Sequence, residues 1–251
     1  MGVALLKTKN LSKFFGRLKA LDQVDIEIKR NQITLVMGPN GSGKTTLINT
    51  ISGFYKADEG KVFLDGQEIT NSPPHEIYTL GIVRTFQIPQ PLKRLTVLEN
   101  LMIAEKNPGE GVLGSLKYSW KRKEEELAER AFKYLEFLDL DHLWNVESYK
   151  LSGGQLKLLE VGRALMSGAK IILMDEPASG IYPKLAHELF SYFVRMKNEL
   201  GITFLIIEHR LEIALPYVDY AYAMSRGRMI SEGMPKDVLN DPLVIESYIG
   251  E

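Results

Sequence analysis

The stretch Gly38-Pro39-Asn40-Gly41-Ser42-Gly43-Lys44-Thr45-Thr46 constrains this chain more than any other. The apolar run Ile33–Met37 precedes it and the mainly apolar residues 47–51 follow, so it reads as strand, glycine-rich loop and helix. Gly-x4-Gly-Lys-Thr is the spacing of a P-loop. Its glycines let successive backbone N–H groups curl around a polyphosphate, and the next helix points its positive end at the same anion. In such a loop Lys44 reaches the β- and γ-phosphates and the Thr45 hydroxyl ligates Mg2+. Nucleotide binding is the first expectation.

Composition narrows what surrounds the loop. A chain of 251 residues with 45% hydrophobic content has ample material for a core. A net charge of −1 gives no electrostatic support to nucleic-acid binding. The chain has no cysteine, which excludes disulfides, thiolate zinc sites and cysteine nucleophiles and fits a reducing interior. Residues 1–8 have no basic region ahead of an apolar one and make a poor signal peptide. The longest wholly apolar runs, such as 171–174 and 204–207, fall far short of the ~20 residues of a membrane span. The expectation is a chain soluble by itself, with any membrane role supplied by a partner.

Residues 3–9 and 24–29 read as strands, the second with Val24, Ile26 and Ile28 on one face. Between them Phe14 is assigned to the core, while Phe15 suits either core or a stacking platform for a base. Asp65-Gly66 between alternating segments is a hairpin signal. Ser72-Pro73-Pro74 looks like a capped helix start, and residues 82–86 form a further strand ending at Gln87. The chain then changes character. Ile88-Pro89-Gln90-Pro91 cannot continue a central strand. Thr96-Val97-Leu98-Glu99 is a capping box for a helix over 97–104, and residues 107–114 read as a loop. The charge run 121–126 is a solvated face. Leu127, Ala131, Leu135 and Leu138 make the buried stripe of another helix. Residues 96–165 are thus mostly helical, inserted between two α/β portions.

Leu151-Ser152-Gly153-Gly154-Gln155 opens a helix and is a second potential anion site. Ile171–Asp175 is a strand without polar residues until its end, as in a parallel sheet buried on both faces. Its terminal carboxylates stand where α/β sheets bind ligands. Beside a P-loop, Asp175 holds Mg2+ and Glu176 orients or deprotonates the attacking water. After a helix over 183–199, a buried strand over 202–207 ends at Glu208-His209, where His209 can donate to a γ-phosphate. His75, His142 and His187 fall on surface helices and take no role. A hairpin about Arg226-Gly227 and a short helix over 235–239 close the chain.

The order P-loop, Gln87, Leu-Ser-Gly-Gly-Gln, apolar strand with Asp-Glu, then His209 resembles the ATP-binding cassette (ABC) ATPases along essentially the whole chain. Residues 81–87 (Gly-Ile-Val-Arg-Thr-Phe-Gln) and 92–101 (Leu-Lys-Arg-Leu-Thr-Val-Leu-Glu-Asn-Leu) resemble the branched-chain amino-acid importer subgroup. The resemblance implies an α/β fold: a P-loop (RecA-like), mostly parallel core sheet with an antiparallel β subdomain, over 1–95 and 166–251, and an inserted helical subdomain over 96–165. It implies ATP and Mg2+ as cofactors and a head-to-tail pair of cassettes, same or sister. ATP on Gly38 to Thr46 of one would be covered by Ser152, Gly153, Gly154 and Gln155 of the other. Phe15 becomes the adenine-stacking aromatic, Gln87 touches Mg2+ or the water, and His209 is the switch histidine.

The stretch from Gln87 as far as Leu101, with the helical insert, would receive membrane-spanning permease subunits. A solute-binding protein would be an indirect partner, and the cassette would sit peripherally on the cytoplasmic face of the membrane. The implied function is ATP hydrolysis for a branched-chain amino-acid importer. Alternatives are an importer of another small solute, such as amides or urea, or a soluble cassette such as an iron–sulfur assembly factor. Two positions depart from the family pattern. Tyr182 stands where the aspartate linking the paired sites is usual, and Lys157-Leu158-Leu159-Glu160 is less basic than the common run.

Overall fold

The computed structural model describes residues 4–85, 90–105 and 119–249. The chain divides into two compact units, Met1–Gln87 with Lys170–Glu251, and Ile88–Ala169.

In the first unit β1 (Ala4–Phe15) pairs antiparallel with β2 (Leu18–Val24), β3 (Glu27–Lys29) and β5 (Glu59–Leu64), and β5 pairs with β6 (Gln67–Glu68). The β5–β6 turn has Asp65 and Gly66 at φ 52° and 79°, as the Asp-Gly signal requires. The expected strand over 3–9 runs on to Phe15, with Asn10 in the left-handed region (φ 48°). The expected strand over 24–29 is interrupted instead: β2 ends at Val24, just after Gln23 at φ 55°, and β3 begins only at Glu27. Across the break the Thr8 hydroxyl donates to Val24 O (2.8 Å) and accepts from Ile26 N (3.0 Å). The alternation survives the interruption, and Val24, Ile26 and Ile28 are all buried. Phe14 corrects the core assignment: at the end of the β1–β2 hairpin its ring is only half-buried, with the Lys19 ammonium 5.8 Å from its centroid.

The second sheet runs β11-β10-β4-β9-β8-β7 among the described residues. Its parallel strands are β4 (Ile33–Met37), β7 (Ile82–Arg84), β8 (Ile171–Asp175), β9 (Thr203–Ile207) and β10 (Tyr220–Ser225), with β11 (Arg228–Gly233) antiparallel at the edge. Helix α1 (Lys44–Ile51) places Leu47, Ile48 and Ile51 in one apolar cluster with Leu6 and Val62 of the antiparallel sheet and Val36, Leu173 and Leu205 of the parallel one. Helix α6 (Pro183–Leu200) buries Ala186, Leu189, Phe190, Phe193 and Met196, and Phe193 stacks on Phe204 of β9 at 5.1 Å between centroids. Such rings dominate core energetics through the area they remove from water. Gly201 closes α6 at φ 70°.

Helix α2 (Pro74–Thr79) begins at its proline, but Pro73 occupies the capping position and no side chain caps the helix, so Ser72 does not play that part. Helices α7 (Leu211–Ala214), α8 (Pro235–Leu239) and α9 (Pro242–Ile249) complete the unit once the helices of the insert are counted in order. Only α8 is legible in the sequence pattern. Just after β7, Thr85 N donates to Leu173 O (3.0 Å).

The second unit is helical. Helix α3 (Val97–Met102) starts with the expected capping box, Thr96 and Glu99 each bonding the other's backbone N–H. Helix α4 (Ser119–Phe137) buries Leu127, Ala131 and Leu135, and Leu138 just beyond its end is buried too. Arg122 to Glu126 are exposed, as a solvated charge run should be. Helix α5 (Gly153–Met166) follows. The fully buried Asn100 staples the segment before α3. Its carboxamide accepts from Leu92 N (2.9 Å) and donates to the carbonyls of Leu92, Leu95 and Thr96 (3.2, 3.2 and 3.0 Å). The loop expected over 107–114 and the proline-bearing stretch at Ile88-Pro89 lie outside the described residues.

Candidate functional site

The P-loop leaves the carboxyl end of β4, and the next two strands on one side of it, β9 and then β8, end in the residues singled out for chemistry. Gly38 and Gly43 adopt φ 146° and 106°, which an L side chain rarely tolerates. Ser42 N bonds Pro39 O (3.3 Å), and Gly227 N of the β10–β11 turn bonds Ser42 O (2.9 Å), so a distant hairpin pins the loop. Lys44 is 5% exposed, and its ammonium donates to Gly38 O and Pro39 O (both 2.7 Å), with Ser42 Oγ at 3.4 Å. A buried ammonium is tolerable because these oxygens replace water. Asn40 and Gly41 are exposed on the outer curve, Thr45 is exposed, and Thr46 is half-buried on α1.

At the end of β8, Asp175 accepts a hydrogen bond from the Thr45 side chain, and Arg84 of β7 brings its guanidinium to 3.9 Å. Burial pushes the Asp175 carboxyl above the usual 3.8, the Thr45 bond and the Arg84 and Lys44 charges oppose this, and the Glu176 charge reinforces it. Arg84 also bonds the Asn49 carboxamide and lies 5.2 Å over the Phe54 ring. Sequence reasoning assigned Arg84 no role; a lone basic residue on an otherwise apolar strand was the available signal.

Glu176 is a non-glycine residue at φ 51°, outside the strand that delivers it. Its N–H donates to Ile207 O (2.9 Å), and its carbonyl accepts from Ser179 N (3.0 Å). The side chain meets His209, whose Nε2 is 3.3 Å from Glu176 Oε1. Lys44, Thr45, Asp175, Glu176 and His209 are therefore clustered in the first unit. Phe15 is 44% exposed at the β1–β2 turn, edge-on to Tyr55 at 5.3 Å, with the Lys13 ammonium 5.4 Å from its ring centroid. The structure thus removes core packing as its role and leaves a ring open for stacking. Gln87 lies outside the described residues. Ser152 caps α5 in the second unit, its Oγ accepting from Gln155 N (3.4 Å) while Gln155 Oε1 accepts from Ser152 N (2.9 Å). Gly153 and Gly154 form the first turn behind that cap. Tyr182 is 80% exposed and precedes α6 without capping it.

The donor set fits a hard divalent cation. A threonine hydroxyl already bonded to a carboxylate offers two oxygens, and Mg2+ takes few protein ligands because it keeps water and phosphate oxygens. Among the described residues there is no cluster of three or more His, Cys, Asp or Glu that could hold a metal ion.

The Asp175 shift makes a testable statement about stability. A carboxyl whose folded value lies above its unfolded value binds its proton more tightly when folded, so its contribution falls as pH rises from 3.8 through the folded value. Asp175→Asn is therefore expected to raise the thermal midpoint at pH 7, by a margin that narrows as the pH approaches 3.8. A lower midpoint at pH 7 would mean that the loss of attraction to Arg84 and Lys44 outweighs relief from burial.

A P-loop on a parallel sheet, with an acidic pair and a histidine at neighbouring strand ends, defines a P-loop nucleotide-binding protein with an inserted helical unit. The family model described as ABC transporter matches residues 21–179, and the chain belongs to that family, as an ATP-binding cassette. It is 59% identical over 246 residues, 98% of this chain and 95% of the relative, to a probable branched-chain amino acid transport ATP-binding protein LivG of Archaeoglobus fulgidus. Identity is 34% over 254 residues, all of both chains, to the high-affinity branched-chain amino acid transport ATP-binding protein LivG of Escherichia coli. Among solved structures, an ATP-binding cassette of an ABC transporter in its ADP conformation aligns with a TM-score of 0.87 at 55% identity, covering 99% of this chain and 100% of that one. A dimeric post-hydrolysis cassette bound to ADP and Pi aligns at 0.73 and 27% identity, covering 92% and 98%.

Proposed function

We propose that this chain is the ATP-hydrolysing subunit of an ABC importer for branched-chain amino acids, working as one of two cassettes that close head to tail on ATP. The observation that carries the reading is the cluster of Thr45, Asp175, Glu176 and His209 at the mouth of the P-loop. Residues 38–46 bind the phosphates through backbone N–H groups and the Lys44 ammonium, and Phe15 stacks on the base. Thr45 and Asp175, with Gln87, hold Mg2+, which when bound neutralises charge on the β- and γ-phosphates. Glu176 orients and deprotonates the attacking water, and His209 donates to the γ-phosphate. Ser152, Gly153, Gly154 and Gln155 of the second cassette, same or sister, cover the nucleotide.

Among the described residues no helix is long and apolar enough to cross a membrane. The chain works peripherally on the cytoplasmic face, docked to permease subunits through the stretch from Gln87 as far as Leu101 and the helical insert. The solute-binding protein acts through those subunits, and nucleic acid plays no part. The experiment is purification from gently solubilised membranes of the source organism. The chain is expected to bring down integral membrane subunits, and the complex to release phosphate from Mg-ATP. Recovery with water-soluble partners alone would overturn the importer reading.

A further inference from the structure

Glu208 is a buried carboxylate that the site described above does not use: it is 2% exposed, directly after β9. Three backbone N–H groups supply its bonds. Ala178 N donates to Oε1 at 2.6 Å, and His209 N and Arg210 N donate to Oε2 at 2.9 and 3.0 Å. The same turn is gripped by Arg210, whose Nη1 donates to Ala178 O (3.2 Å) and Ile181 O (2.9 Å) while its Nε lies 3.7 Å from Glu212 Oε1. Ala178 is thus held at both its N–H and its carbonyl by groups on the segment that carries His209.

A buried carboxylate is tolerated only when hydrogen-bonded; here Oε2 accepts from its own turn, while Oε1 ties that turn to Ala178 on the segment after Glu176. The backbone just before Ala178 needs such a tie. Glu176, two residues before Ala178, sits at φ 51°, a conformation that persists only where its surroundings over-determine it.

We propose that Glu208 and Arg210 are positioning residues for ATP hydrolysis: they clamp the turn of residues 178–181 onto the end of β9 and so set the Glu176 carboxylate against His209. Their role rests on the catalytic roles proposed above for Glu176 and His209. Glu208→Gln keeps the volume but puts an NH2 donor where a carboxylate oxygen accepts N–H groups. A shift of about 1 Å in reacting groups lowers turnover by about 10²-fold.

The test uses the full chain and compares saturated Mg-ATP turnover with affinity for a fluorescent ATP analogue. Glu208→Gln is expected to lower kcat by about 10²-fold and Arg210→Met by about 10-fold, with affinity held within about twofold. Exchange of the Ala178 amide is expected to accelerate in Glu208→Gln. If that variant fails to fold, Arg210→Met reads the same clamp from a side chain that is 31% exposed. Unchanged kcat in the folded variants, or kcat and affinity falling together in step with thermal stability, would overturn the proposal. So would unchanged Ala178 exchange in folded Glu208→Gln. Failure of the wild type to hydrolyse ATP would instead refute the catalytic reading, while Ala178 exchange would still report on the clamp.

Discussion

Glu176→Gln is expected to lower ATP turnover by about 10²–10⁴-fold, the usual contribution of a positioned general base, while leaving nucleotide bound. That range corresponds to about 3–5 kcal/mol of barrier. The residue leaves β8 through a left-handed turn, and its Oε1 stands 3.3 Å from His209 Nε2. Glutamine has the same shape and keeps an oxygen there, but it cannot take a proton from water. The P-loop, Lys44 and Asp175 are untouched, so binding survives while the transition state loses its support. The mutant should accumulate as an ATP-bound dimer. Phosphate release and light scattering with Mg-ATP measure both effects. Turnover within about tenfold of wild type, or a species that stays monomeric with ATP, would remove Glu176 from the role assigned to it.

The second large effect is structural. At Gly38, with φ 146°, a Cβ would lie 2.0 Å from Met224 O, 3.0 Å from Met224 C and 3.1 Å from Ser42 Oγ. The first two are backbone atoms of β10, a parallel partner of the P-loop strand, so one strand must move. Backbone strain of about 1–3 kcal/mol adds to overpacking of about 1–3 kcal/mol. Against a total stability of about 5–15 kcal/mol this is a large fraction. Gly38→Ala is expected to lower the thermal midpoint by about 10 °C and to weaken ATP binding by more than about tenfold. Gly41→Ala is the control. It shares a positive φ of 73° but meets nothing within 4 Å, so only the local cost of about 1–2 kcal/mol remains. Equal losses in the two variants would show that the clash with Met224 contributes nothing.

Much of this architecture can be read along the chain, because the signals concerned are short-range. Alternation, apolar runs, the Thr96 capping box and the Ser-Gly-Gly helix start at Ser152 each involve residues within a few positions of one another. The P-loop belongs to the same class. Its glycines, lysine and threonine act through backbone conformation and the start of one helix, so the pattern implies the geometry wherever the chain places it. The misreadings lie where local pattern competes with partners elsewhere. Phe14 looks like core from its neighbours, yet it ends a hairpin, and residues 24–29 look continuous although β2 ends at Val24 and β3 begins at Glu27, with Thr8 bridging the gap.

By itself the sequence determined the order of elements, the nucleotide loop, the identity of the acidic pair and histidine at the ends of two buried strands, and the family to which they belong. The tertiary structure alone decided the pairings. Arg84 faces Asp175 across 91 positions of sequence, Glu208 reaches back to Ala178, and Met224 stands where a side chain on Gly38 would go. The physical reason is the parallel sheet. Each strand returns by a long crossover, so residues that meet at its carboxyl edge are far apart in the chain, and no local periodicity encodes which strand lies beside which.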